Sequence, residues 1–188
     1  MDAFRWIAVV LSTILGLGIA RILSGFVVAF KTRHQKTPDW LPLLFAAVVL
    51  GETLQFWWAI AELSGRGTWS LVDFTLLVTL VLLLFLSAAL IIPTDAEAVN
   101  ATTVFERDGR WALLLLAGFH LTALIANWCL WDQSLFSIAA VPVVLLAALC
   151  LVGAIVSRRS VQQVVAVLYC ILSVIGTLIE SQAAYTSG

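Results

Sequence analysis

Ionisable and polar side chains interrupt several long apolar stretches of this 188-residue chain, and their spacing is helical. Glu52, Gln55 and Glu62 fall at i, i+3 and i+10 within one stretch. A helix places these residues in one stripe that runs from the middle of the stretch towards its end. Ionisable groups within membrane helices usually face the protein interior or water, and they mark pathways for ions or protons.

Two other stretches carry polar stripes of the same kind. His120 and Asn127 are seven residues apart, and Tyr169, Ser173 and Glu180 fall at i, i+4 and i+11. If the three helices face one another, the stripes line a polar cavity for a cation, a proton relay or a small polar solute. The alternative is that these side chains only hydrogen-bond between helices and specify their packing.

A fourth stretch places Arg21 on one face with Gly18 and Gly25. One interpretation is a tight packing face whose arginine extends towards the polar end of the helix. The other interpretation is a fixed positive charge in a site, where an ion pair with Glu52 is expected because both residues lie at similar depths. A protonated Glu52 is the alternative to that pair, because burial disfavours the charged carboxylate.

The composition defines the class of protein. Apolar residues make up 62% of the chain and charged residues 11%, with a mean hydropathy of +1.08. Soluble domains have about 45–50% apolar and about 25% charged residues. These values exclude a soluble enzyme, a disordered region and a disulfide-stapled secreted domain. We expect a single transmembrane domain over residues 1–188, with the lipid bilayer as its partner and no nucleic acid.

Six stretches reach the length of roughly 20 residues that a spanning helix needs. They predict an all-α bundle of six transmembrane helices. The third and fifth are almost purely apolar, so we expect them to face lipid or a second copy in a homo-oligomer. Thr94 and Glu97 have the spacing of a capping box, which predicts a short cytoplasmic interfacial helix over about 95–106. The predicted spans are 5–30, 40–63, 70–92, 111–131, 134–157 and 161–183.

Basic residues predict the orientation, because lysine and arginine concentrate in cytoplasmic loops. Only Arg5 and Arg66 lie on one side of the six-span arrangement. We therefore expect both termini outside, where Glu62 and Glu180 would form an acidic vestibule. The opposite, cytoplasmic side carries Lys31, Arg33, Lys36, Arg107, Arg110, Arg158 and Arg159.

Known catalytic and cofactor motifs are missing from the sequence. It contains no GxSxG, HExxH, Walker or TVGYG motif, and its three cysteines lack CxxC spacing. We therefore expect no enzyme activity, no cofactor and no metal.

Several short segments suggest a relationship. Gly16–Ile19 with Leu23–Gly25, then Gln55–Trp58, then Ile92-Pro93 resemble a family of small bacterial six-span membrane proteins over roughly the first half of the chain. The resemblance implies a bacterial inner-membrane protein and carries over no activity. The leading hypothesis is a small channel or transporter for ions, protons or a small polar solute, with a cavity open to the outside. The alternative is a non-transporting scaffold or accessory subunit.

Overall fold

The structure of the protein, a computed structural model, describes residues 3–34, 39–92, 101–156 and 158–186, with the backbone alone for 101–104 and 179–186. These residues form helices and turns without a strand, which confirms the all-α class. One 3-10 turn, Leu63–Gly65, follows the second helix. The helices are α1 Ala3–Thr32, α2 Trp40–Glu62, α3 Leu71–Ile91, α4 Ala101–Leu130, α5 Ala140–Ile155 and α6 Arg159–Thr186.

Five helices are long and apolar enough to cross a membrane, which supports a membrane protein. Helix α5 is not one of these five. It has 16 residues, or a length of about 24 Å at 1.5 Å per residue. A hydrocarbon core is roughly 30 Å thick. The predicted span 134–157 is too long at its start, because the hydroxyls of Ser134 and Ser137 accept backbone N–H bonds from Phe136 and Ala140 and stabilise turns there.

Helix α4 begins earlier than the predicted fourth span and includes its polar approach. Residues 101–106, the second half of the predicted interfacial helix, continue directly into α4. Residues 95–100 of that prediction lie outside the described residues. The buried Phe105 stacks on Phe45 of α2 with ring centroids 5.7 Å apart, which holds the start of α4 against the bundle.

The ring contacts between α2 and α4 show that these two helices are parallel. Phe45 pairs with Phe105 and Phe56 with Phe119, so residue numbers increase together along both helices. Consecutive helices run in opposite directions, which brings the N-termini of α2, α4 and α6 to one end of the bundle. We call this the Arg159 end. The opposite end, which holds the 3-10 turn, is called the Arg66 end.

Helix α3 packs against α1, α2 and α4. Leu77, Leu80 and Leu84 on one face are almost fully buried, whereas Leu82 and Leu86 on another face are exposed. For that exposed face, the expectation of contact with lipid or a second copy stays a prediction. Hydrophobicity does not distinguish the two faces, because the core of a membrane protein and the lipid are equally apolar.

Candidate functional site

Three parallel helices bring a carboxyl, an imidazole and a phenol together in the core. Glu52 of α2, His120 of α4 and Tyr169 of α6 are 7%, 3% and 0% exposed. The Tyr169 hydroxyl donates to Oε1 of Glu52 at 3.2 Å and also hydrogen-bonds Nε2 of His120. Ser173 donates to the same Oε1 at 3.0 Å. We call Glu52, His120, Tyr169 and Ser173 the central cluster.

Helical spacing and aromatic packing explain why these side chains meet. Tyr169 and Ser173 are four residues apart, so both present their hydroxyls on the face of α6 that meets Glu52. Phe119 lies beside His120, with ring centroids 5.2 Å apart, and forms part of an apolar wall. A buried polar group without a partner is costly, so the hydrogen bonds compensate for placing these groups in an apolar core.

A polar track continues from the central cluster towards the Arg66 end. The side-chain amide of Gln55 donates to the Thr177 hydroxyl, one turn beyond Ser173 on α6. Thr177 in turn donates to the backbone carbonyl of Ser173 at 2.8 Å. Gln55 is half-buried and Thr177 is exposed, so the track extends from the buried carboxyl to the surface of the bundle.

Arg21 contacts the C-terminus of α3, and its ion pair with Glu52 stays a prediction. Its guanidinium donates to the backbone carbonyl of Ile92 at 2.7 Å, at the C-terminus of α3. The reason is the glycine face of α1, which packs on α3 and points Arg21 at that terminus. A helix C-terminus carries partial negative charge and attracts a cation. The arginine extends towards the Arg159 end, as the packing-face interpretation predicts.

The remaining predicted site residues lie at or near the Arg66 end. Glu62 is exposed at the end of α2, and Asn127 is half-buried on α4. The Asn127 carbonyl accepts the backbone N–H of Gln133 at 2.9 Å, where Asp132 with φ 53° ends the helix. The Glu180 side chain lies outside the described residues. The acidic vestibule therefore stays a prediction.

Sequence reasoning missed a charged group at the Arg159 end. Nη2 of Arg159 lies 2.6 Å from Oδ1 of Asp39, and its Nη1 lies 3.5 Å from Oε1 of Glu106. Asp39 also caps α2 by accepting the N–H of Leu41 at 3.2 Å. The available signal was an acidic residue directly before Trp40, at the start of a predicted helix, since aspartate is a preferred N-cap.

The described residues contain no group of three or more His, Cys, Asp or Glu side chains placed to hold a metal ion. Cys150 of α5 is fully buried and lies within electrostatic range of Glu52 and Tyr169. Comparisons of the chain with protein-family models, curated proteins and solved structures find no match. The central cluster is therefore the main structural basis for a functional proposal.

Proposed function

We propose that the protein is a small membrane channel or transporter whose cargo is the proton, moved through the central cluster. The observation that carries the proposal is the continuous hydrogen-bonded chain from His120 through Tyr169 to Glu52. All three groups can hold or pass a proton. A carboxyl and an imidazole in the middle of membrane helices are typical of proton relays.

The hydrogen bonds from His120 through Tyr169 to Glu52 can pass a proton in two steps. A proton that binds Nδ1 of His120 allows the Nε2 proton to move to the Tyr169 oxygen. The Tyr169 hydroxyl proton then moves to Oε1 of Glu52, so the phenol is regenerated and the carboxyl becomes protonated. Release of that proton restores Glu52. Before the next transfer, His120 must return to the Nε2–H tautomer and the Tyr169 hydroxyl must rotate back towards Glu52.

The contacts favour protons over larger cargo. Hydrogen-bonded side chains pass a proton along existing bonds, whereas a metal cation or a polar solute needs these side chains to separate. The Gln55–Thr177 track supports access from the Arg66 end, because it joins the surface of the bundle to the Ser173 part of the central cluster.

A membrane scaffold or accessory subunit is the second candidate. The same hydrogen bonds also support this candidate, because the polar groups of the central cluster pair directly with one another. Buried and satisfied polar groups specify a unique packing even where they bind nothing. The two candidates differ in one measurable property, which is proton flux.

The proposed setting is a bacterial inner membrane crossed six times, with both termini outside. The helix directions support this orientation, because they bring basic residues such as Arg33, Arg107 and Arg159 to the Arg159 end. That end is then cytoplasmic. We also propose a homo-oligomer, since the small residues Gly16 and Ala20 are exposed on α1 and permit close helix approach.

Proton flux into proteoliposomes tests the proposal. We expect flux above that of empty liposomes, and a loss of about tenfold or more in Glu52→Gln, which keeps the size of the side chain and removes its proton exchange. Asp132→Asn is the control, because it removes an exposed carboxylate outside the central cluster and asparagine tolerates the φ of 53° at this position. Its flux should match that of the wild type.

Two results would contradict the proposal. Absence of flux for protons, sodium and potassium in the folded wild type would favour the scaffold. Unchanged flux in a folded Glu52→Gln variant would remove the central cluster from the pathway. Size-exclusion chromatography in detergent checks that each variant is folded.

A further inference from the structure

An ion-pair bridge joins the N-termini of the three helices that carry the central cluster. Arg159 is the first residue of α6, Asp39 directly precedes α2, and Glu106 lies near the start of α4. Arg159 contacts Asp39 at 2.6 Å and Glu106 at 3.5 Å. The side chains of Asp39, Glu106 and Arg159, called the ion-pair bridge, therefore tie α2, α4 and α6 together at the Arg159 end.

An aromatic pair lies between the ion-pair bridge and the central cluster. Phe45 and Phe105 are almost fully buried, and their rings stack with an interplanar angle of 20°. Phe45 lies about two helical turns after Asp39 and about two turns before Glu52, at 3.6 residues per turn. Between α2 and α4, a charged layer and then an apolar layer thus separate the central cluster from the Arg159 end.

The connection of the central cluster to the surface differs between the two ends of the bundle. Towards the Arg66 end, the Gln55–Thr177 contact joins it to the surface. Towards the Arg159 end, the aromatic pair and the ion-pair bridge lie between the central cluster and the end of the bundle. This asymmetry is typical of a site that is accessible from one side at a time.

We propose that the ion-pair bridge and the aromatic pair form a gate that closes the central cluster to the Arg159 end, and that the gate opens when Arg159 leaves Asp39. The inference rests on the proposed function, because a transporter must release its proton on the second side. It names the element that controls this release.

The burial of Asp39 explains why its pairing with Arg159 controls the gate. The Asp39 side chain is 6% exposed, and its Oδ2 has no hydrogen-bond partner among the described residues. Without Arg159 the carboxylate becomes a buried and uncompensated charge, which strongly disfavours the closed arrangement. Entry of water between α2, α4 and α6 then stabilises the open arrangement. Arg159 is 38% exposed, so it can move into solvent when it leaves.

Cys150 is a natural reporter of the gate. It is fully buried and within electrostatic range of Glu52 and Tyr169, and Gly153 lies one turn nearer the Arg159 end of the same helix. A Cβ built on Gly153 would lie 3.1 Å from Leu113 and 3.2 Å from Val165, so this route is tightly packed. A thiol reagent can reach Cys150 from the Arg159 end only when the helices separate there.

The test labels Cys150 with a membrane-impermeant maleimide, added to either face of oriented vesicles. The background carries Cys129→Ser and Cys170→Ser, so that Cys150 is the remaining thiol. We expect slow labelling in this background. In Arg159→Gln, labelling from the Arg159 face should become about tenfold faster or more, because Asp39 is left as a buried and uncompensated charge. In Asp39→Asn the labelling should also become faster, but by less, because the pair is broken and no buried charge remains.

Arg158→Gln is the matched control, since it removes the same charge from the neighbouring, exposed residue. It should leave the labelling rate unchanged. Asp39→Asn guards against unfolding, because asparagine remains a good N-cap for α2. Equal acceleration in Arg158→Gln, acceleration from both faces, or no acceleration in the folded variants would overturn the gate. Failure of both variants to fold would show a purely structural bridge and would also overturn it.

Labelling and flux are independent readouts, so the two proposals can fail separately. Faster labelling from the Arg159 face in a protein without proton flux supports the gate and rejects proton transport. Proton flux that depends on Glu52, without any change in labelling, supports proton transport and rejects the gate.

Discussion

At the scale of single residues, Tyr169 connects the central cluster. Its hydroxyl bonds both His120 and Glu52, which come from different helices, and its side chain is completely buried. One hydroxyl therefore satisfies two buried groups at once. Its removal leaves two polar groups short of a partner in an environment that offers little water.

We expect Tyr169→Phe to lower the free energy of unfolding by about 1–3 kcal/mol, the usual cost of leaving buried polar groups unsatisfied. Denaturant titration in micelles, followed by circular dichroism, measures the change. Thr75→Val is the control, because the exposed Thr75 hydroxyl bonds only the Leu71 carbonyl of its own helix. Equal stability of the two variants would show that the Tyr169 hydroxyl contributes nothing to the fold.

At the scale of elements, α1 and α3 approach closely through glycine. A Cβ built on Gly25 would lie 2.0 Å from Cγ2 of Ile92, and one on Gly18 would lie 3.9 Å from the Phe85 backbone. This approach also places Arg21 at the C-terminus of α3. The contact of two parallel helices and the position of the half-buried Arg21 thus depend on one small residue.

Gly25→Ala should destabilise the fold by about 1–3 kcal/mol, because the new methyl group forces α1 and α3 apart. Gly176→Ala in α6 is the control, since nothing lies within 4 Å of its added Cβ. That variant should keep its stability or gain up to about 1 kcal/mol from the higher helix propensity of alanine. Thermal unfolding in detergent compares them, and equal melting temperatures would exclude the proposed close contact.

At the scale of the whole molecule, consecutive helices run in opposite directions and define two chemically different ends. The Arg159 end carries the ion-pair bridge, and the Arg66 end carries the surface part of the polar track. At the Arg66 end, Arg66 pairs with Asp73 at 3.7 Å and donates to the Leu130 carbonyl at 3.2 Å. The number of membrane crossings is six if the 16-residue α5 spans the membrane and five if it does not.

Single cysteines in a cysteine-free background test the six crossings. His34→Cys and Arg158→Cys should react with an impermeant maleimide from the cytoplasmic face, and Ser64→Cys and Gln133→Cys from the opposite face. All four positions are exposed. Labelling of Gln133→Cys and Arg158→Cys from the same face would show that α5 does not cross the membrane.

Much of the local organisation could be predicted from sequence. Stretches of about 20 apolar residues become helices in lipid because every backbone group needs an internal partner there. The starts and ends of α1, α2, α3 and α6 accordingly lie within a few residues of their predictions. The helical spacing also correctly grouped Tyr169 with Ser173, because residues four apart share a face in any helix.

The partners of these faces were decided by the tertiary structure alone. Three contacts each join segments far apart in the chain: the packing of α3 on α1, the bond from Arg21 to Ile92 and the bond from Arg159 to Asp39. Periodicity shows which residues share a face, but it contains no information on the neighbour of that face. Depth alone suggested Glu52 as a partner of Arg21. The bond of Arg21 to the Ile92 carbonyl could be found only from helix packing, because the approach of Gly25 to Ile92 fixes which way α1 turns.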